Sequence, residues 1–408
     1  MTASYQNITL EQVDITSPSF RANPFPTFKR WRDSRPVVPV KAFGQRAWII
    51  TRYDDVLNAL TDKRLVKDRR NARDPNKKQQ EMWMPGFIRP LQRNMIDSDV
   101  PDHTRLRSLV HQAFMPRLIA QMQTQIHCLA HKSIDRVQAQ GEMDLVGDFA
   151  LQIPMVVISE MLGVAGGDRA NFHRWSNVIV SVSKPIDGIL AIPSLYQLVR
   201  FLRQLFREHR LRPQDNLTSA LLRAEAEGSK LSEDELVGMV ALLLSAGHET
   251  TVNLIGNGVL ALLAHPADMQ RLRTEPELMK SAVEELMRYT SPVLFATQRY
   301  AREDMTVADT LIPKGDLVLA ALGSANRDES KFENPDTLIL DRQNNKHVGF
   351  GSGMHYCLGA PLARLEASIA FQVLFERLPN IQLAIDSENL RWNSSLVTRG
   401  VKTIPVKF

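Results

Sequence analysis

The chain has 408 residues, 44% of them hydrophobic, with two cysteines and a formal net charge of +5. That is enough apolar material for a large buried core and too few cysteines for a disulfide scaffold, which fits a reducing cytoplasm. The charge is mild, with an isoelectric point near 9.2, and no nucleic-acid-binding motif accompanies it, so no nucleic-acid partner is expected.

No stretch approaches the roughly 18 uncharged apolar residues of a membrane span. The first twenty or so residues carry no apolar run, so neither a signal peptide nor an anchor is expected. No Ser/Gly linker, low-complexity tract or repeat divides the sequence. A single domain over residues 1–408 is expected, with residues 1–22 as an N-terminal extension.

In chain order, residues 23–62 read as helix, hairpin, helix. Val37-Val38-Pro39-Val40 and Ala47-Trp48-Ile49-Ile50-Thr51 are β-rich runs around Phe43-Gly44-Gln45. Residues 63–78 gather Arg69, Arg70, Arg73, Lys77 and Lys78, the pattern of a solvated charged loop. The apolar run from Met82 to Ile88 is interrupted by Pro85 and Gly86, and reads either as core filler or as an adaptable lid over an apolar ligand. Asp102 is placed as an N-cap, and His103 and Arg107 then share a helix face at i, i+4. Residues 118–138, 149–162, 168–183 and 192–210 have helical periodicity, the last two separated by a break at residues 184–188.

Ser232-Glu233-Asp234-Glu235 is a capping box. The helical pattern behind it ends at His265-Pro266, giving a rod of roughly 45 Å. Its middle reads Ala246-Gly247-His248-Glu249-Thr250-Thr251. A zinc reading of His248-Glu249 fails, because H-E-x-x-H needs a histidine where Val252 stands. Gly247 and the threonines, which bond back to i−4 carbonyls, predict a local bend that opens a groove. Residues 277–289 are helical and contain Glu285 and Arg288 at i, i+3, ordinarily a surface pair. Residues 292–298 are extended and are followed by Arg299. Residues 307–319 suggest two strands about Pro313-Lys314-Gly315, and residues 326–345 are a long polar meander. A helix over residues 358–378 tolerates Pro361 in its first turn. Residues 392–401 read as a closing hairpin with Ser394-Ser395-Leu396-Val397 at its tip.

Immediately before that last helix stands Phe350-Gly351-Ser352-Gly353-Met354-His355-Tyr356-Cys357-Leu358-Gly359. Neither register of G-x-G-x-x-G closes there, and no Walker loop exists. The only other cysteine, Cys128, is too distant in sequence for a C-x-x-C zinc pair. Glycine lets backbone approach a ligand closely, and a cysteine at a helix N-terminus is biased toward thiolate. The stretch resembles the haem-ligating loop of the cytochrome P450 family, F-G-x-G-x-H-x-C-x-G. Six specified positions at about 5% background each give a chance match on the order of 1 in 10⁷ to 10⁸.

The resemblance extends from about residue 23 to the C-terminus. It implies a mainly α fold, a helical bundle with small β sheets enclosing a haem, and haem b (iron protoporphyrin IX) as cofactor. Cys357 would be the iron ligand. His103, Arg107, Arg299 and His355 would hold the propionates, with Ala246, Gly247, Phe350, Gly351 and Gly359 against the ring. Residues 246–251 resemble the family's oxygen-activating segment, which makes Thr250 and Glu249 the catalytic pair that feeds protons to dioxygen. Glu285, Arg288 and Arg342 would form an ionic brace behind the loop.

The implied activity is a haem-thiolate monooxygenase of secondary metabolism, hydroxylating or epoxidising a medium or large hydrophobic substrate such as a polyketide, terpenoid, steroid or fatty acid. Candidate wall residues are Trp83, Met84, Phe87, Ile88, Trp175, Ile179, Leu242, Leu294, Phe295 and Leu396. No flavin or iron–sulfur pattern is present. Electrons are therefore expected from a ferredoxin or flavodoxin with its reductase, docking on the basic residues 63–78 with Arg105, His111 and Arg364. A cytoplasmic monomer is expected. A peroxide-driven enzyme or a haem-thiolate gas sensor would need no acid–alcohol pair. A haem-free binding protein would leave the His, Arg and Cys set without a common purpose.

Overall fold

The computed structural model describes residues 9–73, 85–113, 116–169, 171–172, 174–175, 185–224 and 231–408. Helices dominate and pack about one rod, the central helix Glu233–Leu263, 31 residues long. Its capping box is closed: Glu235 N–H donates to Ser232 Oγ, and Ser232 N–H donates to the Glu235 carboxylate. Leu236, Val240, Leu244, Ile255 and Val259 are all buried. The rod is thus apolar nearly all round, as a helix threaded through a core must be.

The helix following the cysteine, Ala360–Arg377, crosses this rod. At the crossing, a Cβ added to Gly258 would stand 2.5 Å from Phe371 Cζ. The helices therefore approach more closely than any side chain at position 258 would allow, and close packing holds the cysteine loop at a fixed height over the rod.

A five-stranded sheet lies to one side. Its strands are β1 (Val37–Ala42), β2 (Gln45–Ile50), β3 (Leu65–Val66), β5 (Arg299–Ala301) and β8 (Leu317–Ala320), ordered β1-β2-β8-β5-β3. Only β2 and β8 run parallel. Strand β5 carries Arg299 from the sheet toward the helices. Strands β4 (Glu142–Asp144), β9 (Gln382–Leu383) and β10 (Pro405–Lys407) form a second sheet, and β6 (Met305–Val307) and β7 (Thr310–Ile312) form a hairpin.

Several local expectations change. The two strands expected about Pro313-Lys314-Gly315 are β7 and β8, but they do not pair with each other: β7 pairs with β6 across Ala308 and Asp309, both at positive φ, and β8 joins the five-stranded sheet. Asp102 is the first helical residue of Asp102–Ala113 and not its cap. Pro185 opens the helix Pro185–Leu211, so the break expected over residues 184–188 ends there; most of the preceding segment lies outside the described residues. The central helix is α throughout Glu233–Leu263. Its groove comes from the small residues Ala246 and Gly247, although Thr250 does bond back to the Ala246 carbonyl at 3.1 Å. The closing hairpin consists of two isolated bridges, Val293 with Thr398 and Trp392 with Val401. Within residues 9–22, Ile15, Phe20 and Arg21 are buried, and Arg21 donates to the Leu396 carbonyl at 2.6 Å. This part of the expected extension is stitched into the core.

Candidate active site

Between the central helix and the cysteine loop lies a cavity of about 1430 Å³, its mouth included. One wall is Leu242, Leu243, Ala246, Gly247, Thr250 and Thr251. The opposite wall is Phe350, Gly351, His355, Cys357 and Gly359, with Leu362 and Glu366 behind.

The loop shape follows from its glycines. Gly353 sits at φ 68, and a Cβ there would stand 2.9 Å from Thr61 Cγ2. Cys357 N–H donates to the Phe350 carbonyl at 2.9 Å, closing the loop on itself. The Cys357 sulfur is accessible, but only by facing the cavity, since protein surrounds it otherwise. Burial pushes its thiol up from the usual value, while the N–H groups of Gly359 and Ala360 and the charges of Arg107 and Arg364 oppose that. The sulfur thus has donors prepared for an anion, and it needs a cation on its open side to stay one.

At the cavity edge, cations crowd together. His103 and His355 stack with centroids 4.3 Å apart, and both ring nitrogens of the buried His103 lack a partner among the described residues. Arg107 donates to the Tyr356 carbonyl at 2.7 Å. Arg299 is buried and holds two carbonyls only at 3.3 Å. Lys67, expected in a solvated loop, is also buried; its ammonium donates to Thr297 Oγ1 at 2.5 Å and the Gln298 carbonyl at 2.7 Å.

Burial, and then the neighbouring cations, holds His355 down to about 2. Burial and Arg299 lower Lys67 to about 7, and burial lowers Arg299 to about 10. Asp99 opposes the shifts of Lys67 and Arg299, but its oxygens are occupied by the N–H groups of Lys67 and Asp68 and by Asn71. The cluster is short of negative charge. A ligand carrying carboxylates would complete it, and Cys357 is placed to take that ligand's metal.

On the central helix, Glu249 Oε1 accepts from Thr398 Oγ1 at 2.7 Å, while Oε2 is buried without a partner among the described residues. Burial raises the Glu249 carboxyl, and the Thr398 bond works against it. Thr250 lines the cavity. Glu366, fully buried on the post-cysteine helix, is pushed well up by desolvation, with a bond from Thr251 opposing. Lys67, Glu366 and Thr398 were not singled out from the sequence. Each gains its setting from a chain segment far away, and no local motif marks it.

Behind the loop, Glu285 accepts Arg288 Nε and Nη2, both at 2.8 Å, Arg342 Nε at 3.0 Å, and Ile339 N–H at 2.9 Å. Glu285 and Arg288 are wholly buried. Arg288 also reaches the carbonyls of Asn326 and Pro335 at 2.8 Å, so this pair pins the long meander.

Of the candidate substrate residues, Leu242 lines the cavity. Leu294, Phe295 and Leu396 do not: they pack into the cluster with Phe28 and Trp31, and Val293 and Ala296 face the cavity instead. Ile88 is buried, Phe87 packs edge-on against Tyr196 and Trp175 against Phe201; none of the three lines the cavity, whereas Met95 and Ile96 do. Trp83, Met84 and Ile179 lie outside the described residues.

The expected basic face is not one open patch either. Lys67 is buried, Arg70 pairs with Asp68, Arg105 with Glu235, and Arg364 with Glu284. Lys77 and Lys78 lie outside the described residues.

The family model for cytochrome P450 matches residues 191–380. The polyketide biosynthesis cytochrome P450 PksS of Bacillus subtilis (strain 168) is 42% identical over 394 residues, covering 95% of this chain and 96% of the relative. The chain belongs to the cytochrome P450 family. The solved structure of PksS superposes with a TM-score of 0.90 at 40% identity, covering 97% of this chain and 99% of that one. Cytochrome P450 107B1 of Saccharopolyspora erythraea is 44% identical over 366 residues, 89% of this chain and 90% of the relative. The cytochrome P450 monooxygenase PikC of Streptomyces venezuelae is 38% identical over 393 residues, 95% of this chain and 92% of the relative. The protein is a P450 monooxygenase with the family's haem-thiolate cofactor. Among the described residues, no helix is long and apolar enough to cross a membrane.

Proposed function

We propose that this P450 inserts one oxygen atom of dioxygen into a medium or large hydrophobic substrate of polyketide type, by hydroxylation or epoxidation. The observation that carries the reading is Thr250 in the cavity wall on the same side as the apolar Leu242, Leu243 and Ala246, directly after Glu249 on one helix. The named role of PksS in polyketide biosynthesis favours that substrate class.

Haem b, with its two carboxylate arms, is the group the cluster of Lys67, His103, Arg107, Arg299 and His355 fits. When bound, it supplies the oxidising chemistry, with the thiolate pushing electron density toward the metal.

The chain's own residues do the rest. Leu242, Leu243, Val293 and Ala296 bind the substrate by exclusion of water and leave it few polar anchors. Ala246 and Gly247 keep the wall thin where dioxygen must fit. Thr250, whose hydroxyl proton is donated to the Ala246 carbonyl, keeps its lone pairs for a proton donor and orients that donor. Glu249, whose carboxyl is raised by burial against the Thr398 bond, passes a proton toward Thr250.

Electrons come from a separate ferredoxin or flavodoxin with its reductase, and the protein works as one unit, a cytoplasmic monomer. Thr250→Ala tests the reading: reductant consumption should continue while product falls and hydrogen peroxide rises. Unchanged coupling of reductant to product would remove Thr250 from proton delivery.

A further inference from the structure

Glu249 needs a route by which it is reloaded, and its surroundings supply one. Its Oε2 is buried and meets no donor among the described residues, while its Oε1 holds a hydroxyl partner through which a proton can exchange. That atom lies 2.7 Å from Thr398 Oγ1, and Thr398 Oγ1 lies 2.9 Å from Ser395 Oγ. Thr398 is buried, Ser395 is half-buried, and the adjoining Ser394 is exposed. The hydroxyls thus step outward from the central helix to the surface of the C-terminal loop.

We propose that Ser395 and Thr398 form a two-hydroxyl proton relay that reloads Glu249 from solvent. The proposal rests on the reading of Glu249 as the proton source.

The step balances. With Glu249 ionised, Thr398 O–H donates to Glu249 Oε1; Ser395 Oγ, which accepts from Thr398 in the structure, turns its own O–H inward to donate to Thr398 Oγ1. A hydronium ion at the surface gives its proton to Ser395 Oγ and is left as water, while the Ser395 proton passes to Thr398 and the Thr398 proton passes to the carboxylate. Each hydroxyl breaks one O–H bond and forms one, and the carboxylate carries the single net proton. Rotation of both hydroxyls resets the chain.

The relay stands on a fixed platform, as transfer over such distances requires. Thr398 N–H donates to Ser395 Oγ at 3.1 Å and holds the outer oxygen in place. Arg21 grips the Leu396 carbonyl at 2.6 Å, and Leu294 N–H the Val397 carbonyl at 2.8 Å. Arg399 N–H bonds the Pro292 carbonyl at 2.8 Å, and Thr398 bridges to Val293 of the cavity wall. Burial of Arg21 and Phe20 from the N-terminal segment anchors the loop from behind.

The test uses the haem-loaded protein without added substrate. The infrared carbonyl stretch of Glu249 is assigned by difference against Glu249→Gln. Dioxygen consumption, driven by a ferredoxin and its reductase, is measured in H₂O and D₂O. Thr398→Val should shift the carbonyl band upward, slow consumption about tenfold, the size of one lost hydrogen bond to a charged group, and enlarge the solvent isotope effect. Thr398→Ser should restore all three. Ser395→Ala should leave the band in place yet slow consumption, which separates relay from mere positioning. If Thr398→Val fails to fold, Ser395→Ala decides alone. Wild-type rates and isotope effects in the Ser395 and Thr398 variants, beside a slow Glu249→Gln, would overturn the relay and leave Glu249 its role. A Glu249→Gln that runs at the wild-type rate would overturn the role of Glu249 itself.

Discussion

His103 and His355 stack 4.3 Å apart and are both held below the ordinary imidazole range, first by burial and then by the arginines and lysine around them. Two neutral rings beside Arg107, Arg299 and Lys67 make a polar cluster that is costly on its own and favourable once carboxylates enter it.

The cluster therefore acts oppositely on the two forms of the protein. Arg299→Leu should weaken haem retention by roughly 10- to 100-fold, the ~1.5–3 kcal/mol of a charge-assisted hydrogen bond. It should leave the urea midpoint of the haem-free protein unchanged or higher, since a buried cation that lowers its neighbours' pKa is gone. Haem transfer to an excess of a globin apoprotein reads the first quantity. A variant that loses stability in the haem-free form and keeps its haem would contradict the assignment.

Glu285 and Arg288 make a second buried ionic site with the opposite logic, because every charge there is already met. Arg288→Ala would leave Glu285 with Arg342 as its one charged partner and release the carbonyls of Asn326 and Pro335. Breaking a buried pair from one side costs about 3–5 kcal/mol. The urea midpoint should fall accordingly, and the meander of residues 326–345 should lose hydrogen-exchange protection before the helices do.

These two sites mark where the sequence could be read and where it could not. The cysteine loop, the capping box at Ser232 and the acid–alcohol pair are contiguous, so their chemistry is visible in one short window. The same windows hide parity. Residues 292–298 are extended, but nothing local states that Val293 and Ala296 face the cavity while Leu294 and Phe295 enter the Phe28 cluster. Lys67 reads as one basic residue among many until β3 and β5 pair and cover it. The partner of Glu249 is 149 residues away, and only the folded C-terminal loop brings it in.

Acid stability should depend on Glu284. Burial would raise its carboxyl, but hydrogen bonds from Arg364 and His347 outweigh that and hold it at about 2. The folded pKa is below the ordinary value of 4.5, so the group's stabilising contribution is complete above that pH and is lost as pH falls toward 2. Glu284→Gln should lower stability at neutral pH and flatten this part of the acid limb. Because Glu284 bridges His347 and Arg364, which flank the cysteine loop, the loss should appear as haem release at a higher pH than in the wild type. Urea midpoints and haem absorbance between pH 5 and pH 2 read both effects; parallel limbs in the two proteins would contradict the assignment.

The central claim is that Cys357 ligates the iron of a haem as thiolate. The absorption spectrum of freshly prepared, reduced protein under carbon monoxide tests it most directly. Thiolate ligation predicts the strongly red-shifted Soret band, and Cys357→His should move that band to the imidazole-type position. An imidazole-type band in the undenatured wild-type protein, or no haem absorbance at all, would contradict the account.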